Sequence, residues 1–300
     1  MFVFHIYINF VDNLKQKTEE IHTMNILNSH IESFYNRPNL YNEIINRLKE
    51  MDVDLSNVRR KDIAGVDEFH VRGAQVSQEL AEIANIKNAK VLDIGCGIGG
   101  PCRMLADEFG CNTIGIDLSE EYVATANLLS KLVGLEHVSK FVQGDALNLP
   151  FPDSTFDVVW TQHVQMNVRD KLKFYSEVER VLNDKGVFIY YEVFKKENID
   201  VRYPMPWADD GKISFLEPSS SMNSIFENLG LVKEQSMDQT ESGIKILEKS
   251  LNRIPKDKLP RLGLNILMGV STREKMTNLL NGLKEGKIYL ESGIYKRKNI

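Results

Sequence analysis

From residue 88 onward the chain alternates short apolar runs with amphipathic stretches. Runs at 90–94, 113–117, 139–143, 156–161 and 186–193 have strand length, and the segments 101–109, 119–133 and 169–182 between them carry helical spacing. This alternation predicts a mainly parallel sheet with helices on both faces and right-handed crossovers. Upstream, apolar positions recur at helical intervals, first Ile26, Leu27, Ile31, Phe34 and Tyr35, then Leu40, Ile44, Ile45 and Leu48. Arg37-Pro38-Asn39 separates the two sets, because the residue before a proline avoids the helical region. A further helix is expected from about Gly73 to Ala84. Past residue 194 the rhythm loosens into a stiff aromatic loop, Arg202-Tyr203-Pro204-Met205-Pro206-Trp207. Beyond it the pattern predicts a helix at 219–229, a strand at 231–238, helices at 241–252, 258–268 and 272–284, and a last strand at 287–297. Pro255 and Pro260 act as breakers in that stretch. The chain shows no internal repeat, low-complexity tract or clear linker.

The alternating region is organised around Val91-Leu92-Asp93-Ile94-Gly95-Cys96-Gly97-Ile98-Gly99-Gly100. A buried strand ends in an acid, and a glycine-crowded turn leads into the helix beginning near Pro101. Glycines permit unusual dihedrals and let a ligand approach the backbone, and the free N–H groups of the helix start face whatever binds there. Gly95, Gly97 and Gly100 also satisfy the dinucleotide fingerprint, which alone is a weak signal. The second strand ends in Asp117, about 20 residues on, where an acid can accept hydrogen bonds from both hydroxyls of a ribose. It can equally serve the N-terminus of the helix that follows Ser119. The third strand is followed by Gly144-Asp145-Ala146, and Asp145 can accept from an exocyclic amine such as that of adenine. Three acids at successive strand ends line the sheet edge at which open α/β folds bind ligands.

Composition adds bounds. Apolar residues make up 42% and charged residues 26%, as in ordinary globular proteins. A net charge of -5 gives no general reason to expect a nucleic-acid partner. Cys96, Cys102 and Cys111 form no zinc spacing, so no metal is expected, and unpaired cysteines suit the cytoplasm. The apolar start, Met1 to Val11, is too short to span a bilayer, which takes about 20 residues, and lacks the features of a signal peptide. It reads as a loosely docked tail, with Met24 as an alternative start.

Taken together, these segments resemble the S-adenosylmethionine-dependent methyltransferases of the Rossmann-like fold. The resemblance rests on Val91–Gly100, Gly115-Ile116-Asp117-Leu118-Ser119 and Gly144-Asp145-Ala146. It is extended by Leu149-Pro150-Phe151-Pro152-Asp153 with Phe156-Asp157-Val158-Val159, and by Arg180-Val181-Leu182-Asn183-Asp184-Lys185-Gly186. It covers about residues 67–240 and points to the small-molecule branch, with its sarcosine/dimethylglycine, phosphoethanolamine, tocopherol and quinone enzymes. The resemblance implies a doubly wound, mostly parallel seven-stranded α/β sheet in the order 3-2-1-4-5-7-6, its last strand antiparallel, with a helical cap. Residues 1–66 would form a helical lid, and 67–300 the methyltransferase domain with cap segments at about 195–220 and 241–286.

Carried over by position, Gly95, Cys96 and Gly97 border the cofactor's methionine portion and Asp93 reaches its ammonium. Asp117 and Leu118 hold the ribose, Asp145 and Ala146 the adenine, and Gln162 touches the cofactor. Phe69 and His70 close over it. Asp93 weighs against a dinucleotide, since a carboxylate repels a pyrophosphate and welcomes a cationic sulfonium amino acid.

The acceptor is expected beyond the fourth strand, at Trp160-Thr161-Gln162-His163-Val164-Gln165-Met166-Asn167. There His163 is the candidate base or orienting group, set against a purely structural histidine, and Asn167 a candidate to orient the acceptor. Tyr35, Tyr203 and Trp207 are candidates for an aromatic wall. The Asn/Asp-Pro-Pro-Tyr/Phe motif of enzymes that methylate exocyclic amines of DNA bases is absent after the fourth strand. Cys102 lies at the first helix rather than where a cytosine-methylating nucleophile would, and the three cysteines have no C-terminal partner for arsenite chemistry. The expected activity is methyl transfer from S-adenosyl-L-methionine to a small molecule, at a glycine-derived or ethanolamine-like nitrogen. Carbon or oxygen transfer to a quinone, tocopherol-like or natural-product acceptor is the alternative, and a non-catalytic cofactor-binding partner protein is the rival of another class. A homodimer is left open.

Overall fold

The computed structural model describes residues 19, 22–197, 199–253 and 260–298. The tail at residues 1–11 lies outside them. Seven strands form one sheet: β1 (Lys90–Ile94), β2 (Asn112–Asp117), β3 (Ser139–Gln143), β4 (Phe156–Gln162), β5 (Leu182–Lys195), β6 (Leu231–Asp238) and β7 (Ile288–Arg297). Their order is β3-β2-β1-β4-β5-β7-β6. All neighbours from β3 to β5 pair in parallel, whereas β7 runs antiparallel to both β5 and β6. The expected topology is therefore present. β5 starts earlier than its apolar run, because Leu182 pairs with Phe156 before a register shift admits Val187 opposite Val158.

Helices cover both faces. A first helix, α1 (22–35), and α2 (Leu40–Glu50) flank the proline break at Arg37-Pro38-Asn39. Next come α3 (Arg60–Asp67) and α4 (Ala74–Ile83), then α5 (Gly100–Phe109), α6 (Glu120–Leu132) and α7 (Lys171–Val181). The remaining helices are α8 (Ser219–Asn228), α9 (Thr240–Arg253), the single turn α10 (Asn265–Met268) and α11 (Thr272–Lys284). Two expectations need correction. α3 has no counterpart in the sequence reading, since only Ile63 and Val66 mark its apolar face. The helix expected at 258–268 is confined to Asn265–Met268, with 254–259 outside the described residues. Pro260, which lacks an N–H, and Gly263 disfavour an earlier start.

Two layers of core sandwich the sheet. On one face Val91, Trp160, Ile189 and Leu290 pack with Leu80, Met104, Leu247, Leu279 and Trp207. On the other, Leu92, Ile94, Val159, Phe188 and Tyr190 pack with Phe174, Val178 and Phe226. A third cluster joins α2 and α3 to α6 and α10 through Ile44, Ile63, Val66, Leu129 and Ile266.

One buried ion pair fastens this third cluster to the sheet. The Arg103 guanidinium on α5 is fully buried and donates to Asp67 on α3, to the Ile98 carbonyl, to the Ala126 carbonyl at 3.1 Å and to Ser130 Oγ at 3.2 Å. Beside it Gly100 lies so close to α3 that a β-carbon there would stand 2.0 Å from the Asp67 carbonyl oxygen. Asp67→Ala is expected to lower unfolding stability by about 3–5 kcal/mol by stranding the buried guanidinium. Urea denaturation checks this; a loss under about 1 kcal/mol would show that the pair is dispensable.

Candidate active site

The carboxyl ends of β1, β2, β3 and β4 open onto a cavity lined by Asp93, Gly95, Cys96, Gly97, Asp117, Leu118, Asp145, Ala146, Gln162, His163 and His70. Every residue expected at the cofactor or the acceptor atom thus faces one space. Pairing explains the convergence: parallel register sets Asp93 beside Gly115 and Asp117 beside Gln143, so the acids lie in one row at the strand ends.

The turn after β1 is shaped for a ligand. Gly97 adopts φ +55, and a β-carbon there would meet no protein atom within 4 Å, so the backbone is open to a bound group. Asp117 holds this turn, with Oδ2 accepting from the Gly97 N–H at 2.9 Å and Oδ1 from the Ser119 N–H at 2.9 Å. A carboxylate offers about four acceptor sites, so acceptor capacity remains for a ribose hydroxyl beside these bonds and that of the Leu118 N–H. The two roles expected for Asp117, ligand group and helix-start acid, are compatible. Ser119 caps α6 by accepting from the Tyr122 N–H.

Asp93 is buried, and its recorded hydrogen bond is from the Cys102 thiol at 3.5 Å. Burial pushes its pKa well above the usual carboxylate range, reinforced by the charges of Glu68 and Asp117. A buried acid without a cationic partner is suited to a ligand that brings a positive charge. Asp67, Asp93, Asp117 and Asp145 all line this cavity, against the single basic side chain of exposed Arg169 among the described lining residues. Such a field suits a sulfonium and an ammonium and opposes a pyrophosphate. Asp145 accepts from the Leu147 N–H at 2.8 Å through Oδ1. Its Oδ2 accepts from the Asn28 side chain at 2.8 Å, so α1 lies over the Asp145 end of the cavity.

His163 follows β4 in a left-handed conformation, φ 54. Its Nε2 is buried with no hydrogen-bond partner among the described residues, and burial together with His70 pushes its pKa well below 6.5, which favours a neutral imidazole. His70 bonds Glu68 at 2.7 Å, and Ser77 joins Glu68 to Gln162. Asn167 has another task than the one expected of it. Its carboxamide accepts from Tyr35 and donates to the Trp207 and Ile213 carbonyls, tying α1 and the 207–213 loop together.

A second cavity meets the first along Tyr35, Phe69, His70 and His163. The sequence did not reveal it. Its wall comes from Met166, Trp207, Leu247, Leu264, Met268, Met276 and Leu279, which are remote in sequence. Of the expected aromatic wall, Tyr35 and Trp207 line this cavity, whereas Tyr203 lines neither.

This fold, with its row of acids at the carboxyl edge of the sheet, is a Rossmann-like α/β domain. Residues 92–190 match the family model described as a methyltransferase domain. The chain is 40% identical over 103 residues to a sterol 24-C-methyltransferase of Gibberella zeae, covering 34% of this chain and 27% of that protein. It is 44% identical over 114 residues to norajmaline N-methyltransferase of Rauvolfia serpentina, covering 36% and 39%. With tocopherol O-methyltransferase of Arabidopsis thaliana it shares 38% over 138 residues, covering 45% and 39%. The chain thus spans under two-fifths of the length of these relatives. Among solved structures, phosphoethanolamine N-methyltransferase 2 of Haemonchus contortus superposes with TM-score 0.67 at 20% identity, over 79% of this chain and 55% of that one. A sarcosine dimethylglycine methyltransferase described as such from Galdieria sulphuraria gives 0.60 at 20% identity, over 74% and 85%.

Over residues 92–190 the chain thus matches a methyltransferase domain, and the phosphoethanolamine enzyme that it superposes on was solved in complex with S-adenosyl-L-methionine.

Asp117→Ala is expected to weaken S-adenosylmethionine binding roughly tenfold or more, since each hydrogen bond to a charged group contributes about 1.5–3 kcal/mol. Calorimetry with unchanged affinity would refute the ribose assignment. Asp93 must be ionised to meet an ammonium, and its pKa lies well above 3.8 in the free protein. Affinity should therefore fall as the pH is lowered while ordinary aspartates are still charged. Asp93→Asn should bind weakly and lose that pH dependence; an identical pH profile would show that Asp93 is not the titrating group.

Proposed function

We propose that this chain transfers the methyl group of S-adenosylmethionine to a small molecule with an apolar body, which enters through the second cavity. The observation that carries this reading is the junction of the two cavities at His163 and His70. S-adenosylmethionine, when bound, supplies an already activated methyl group for an in-line displacement. Catalysis is then chiefly alignment and exclusion of water. Asp93, Asp117 and Asp145 fix the donor, and His163 receives the nucleophile at the junction.

The wall of the second cavity guides the choice of acceptor. Its three methionines and three leucines form an adaptable apolar surface. The charged side chains on it, Glu68 and Arg72, are already engaged, Glu68 with His70 and Arg72 with Glu79 and Gln239. A phosphate or carboxylate handle finds no free cation there among the described residues. This favours an acceptor with an apolar frame over glycine-derived or phosphoethanolamine-like amines, as with the norajmaline, tocopherol and sterol acceptors in the names of the relatives.

A neutral imidazole with an unpartnered nitrogen accepts a hydrogen bond from N–H or O–H, which favours a nitrogen or oxygen nucleophile over carbon. An amine of pKa about 10 must give up roughly 4 kcal/mol to be neutral at pH 7, and an apolar cavity favours that neutral form. Three buried free thiols fit a reducing compartment such as the cytoplasm. No helix among the described residues is long and apolar enough to cross a membrane.

The test is formation of S-adenosylhomocysteine across apolar amines, phenols, quinols and sterols, alongside glycine, sarcosine, dimethylglycine and phosphoethanolamine. Turnover confined to apolar acceptors is expected. Turnover confined to the small charged amines would overturn the cavity assignment, and cofactor binding without any turnover would favour the non-catalytic partner. His163→Ala should keep cofactor affinity and lower turnover about a hundredfold. Unchanged turnover would leave His163 structural.

A further inference from the structure

The turn that presents His163 is unusual and is held from below. His163 occupies the left-handed region, which residues other than glycine adopt uncommonly. Its own N–H donates to the Tyr191 carbonyl at 2.8 Å. The next two N–H groups, of Val164 and Gln165, both donate to Oε2 of Glu192, at 2.9 and 3.2 Å. Glu192 lies on β5, the strand next to β4, and is buried at 1% exposure. Among the described residues no donor meets hydrogen-bond geometry at its Oε1, although the Thr161 hydroxyl helps to stabilise the charge. A carboxylate in such a place is expensive to keep charged, and the fold gains no ion pair from it.

We propose that Glu192 is a positioning residue for methyl transfer, its carboxylate clamping the Val164 and Gln165 amides so that His163 is turned to the junction of the two cavities. The proposal rests on the function proposed above. Oε2 acts as a local anion for two backbone dipoles that would otherwise be buried unpaired beneath the site. Lys171 on α7 completes the clamp from the other end, donating to the carbonyls of Gln165, Val168 and Phe215.

The clamp is set to titrate near neutrality. Burial raises Glu192 to about 7, opposed by the two N–H bonds, Thr161 and Lys171, and lowers Lys171 to about 8. The groups facing the pair are Tyr175 on α7, Glu217 ahead of α8 and Thr161 on β4. Because the folded pKa of Glu192 exceeds that of an unfolded glutamate, ionising it in place opposes folding. The native state therefore loses stability as the pH rises from about 4.5 through about 7. A group that destabilises the fold at the pH where it clamps the site is what a functional constraint leaves behind.

The experiment uses the full chain labelled with nitrogen-15, with Glu192→Gln and Glu192→Ala beside the wild type. The wild-type amide resonances of Val164 and Gln165 should titrate together with a midpoint of about 7. In Glu192→Gln, whose carboxamide oxygen can still accept both N–H groups, the turn should persist and that titration vanish. In Glu192→Ala those amides should lose hydrogen-exchange protection, while S-adenosylmethionine affinity stays within about twofold. With the acceptor found by the turnover screen, kcat/KM should rise through the same midpoint in the wild type and lose that step in Glu192→Gln. It should drop about tenfold or more in Glu192→Ala. Amides that do not titrate, titrate equally in Glu192→Gln, or stay protected in Glu192→Ala would overturn the clamp, as would unchanged kcat/KM in Glu192→Ala. The resonance measurements need no acceptor, so absence of turnover with the clamp intact counts against the methyltransferase reading alone.

Discussion

The buried guanidinium of Arg103 is the constraint on which the site depends. It is wholly buried, yet it reaches α3 through Asp67, the glycine turn through the Ile98 carbonyl and α6 through Ala126 and Ser130. The glycine turn has little side-chain bulk to fix its own shape. An arginine beneath it and the Asp117 carboxylate beside it supply from neighbouring elements the rigidity that the turn lacks. The cation also sits next to a row of acids. Arg103 pairs with Asp67 and leaves Asp93 and Asp117 to the cavity, so the negative field survives there.

That field discriminates between cationic and anionic ligands in a way the glycine spacing does not. Gly95, Gly97 and Gly100 serve a dinucleotide as well as a sulfonium nucleoside, and the backbone geometry favours neither. Asp93 separates them. Its surroundings offer a thiol and further carboxylates, and burial makes its charge costly until a cation arrives. The same low dielectric that raises its pKa strengthens its attraction for an ammonium once the cavity closes.

The convergence of the strand-end acids on one cavity was legible in the sequence because these groups are local. Each strand-end acid follows its own apolar run, and parallel pairing of β1, β2 and β3 brings three such ends together whatever the details of the helices. The sheet order and the antiparallel β7 followed from the family resemblance. The acceptor half was not legible for the opposite reason. Phe69, Met166, Trp207, Leu247 and Met276 come from five separate segments and have no spacing in common. Each reads as core, and only the tertiary fold shows that they surround a space. α3 escaped notice because eight residues with two apolar anchors fall below any periodic signal. The task of Asn167 was missed because its partners, Tyr35, Trp207 and Ile213, are up to 132 residues away.

The two halves are joined by residues that line both. Tyr35, Phe69, His70 and His163 face both cavities, and the three polar ones are each tethered to a different element. Tyr35 is held by Asn167, His70 by Glu68 and Ser77, and His163 by the strand beneath it. The donor cavity is held by bonds to backbone N–H groups and carboxylates, which tolerate little displacement. The acceptor cavity is held by methionine and leucine contacts, which are non-directional and can be repacked at low cost in stability. An acceptor wall can therefore change without disturbing the donor site, provided the junction stays fixed. By this asymmetry the wall of the second cavity, rather than the motifs at the strand ends, discriminates among acceptors in the function proposed above.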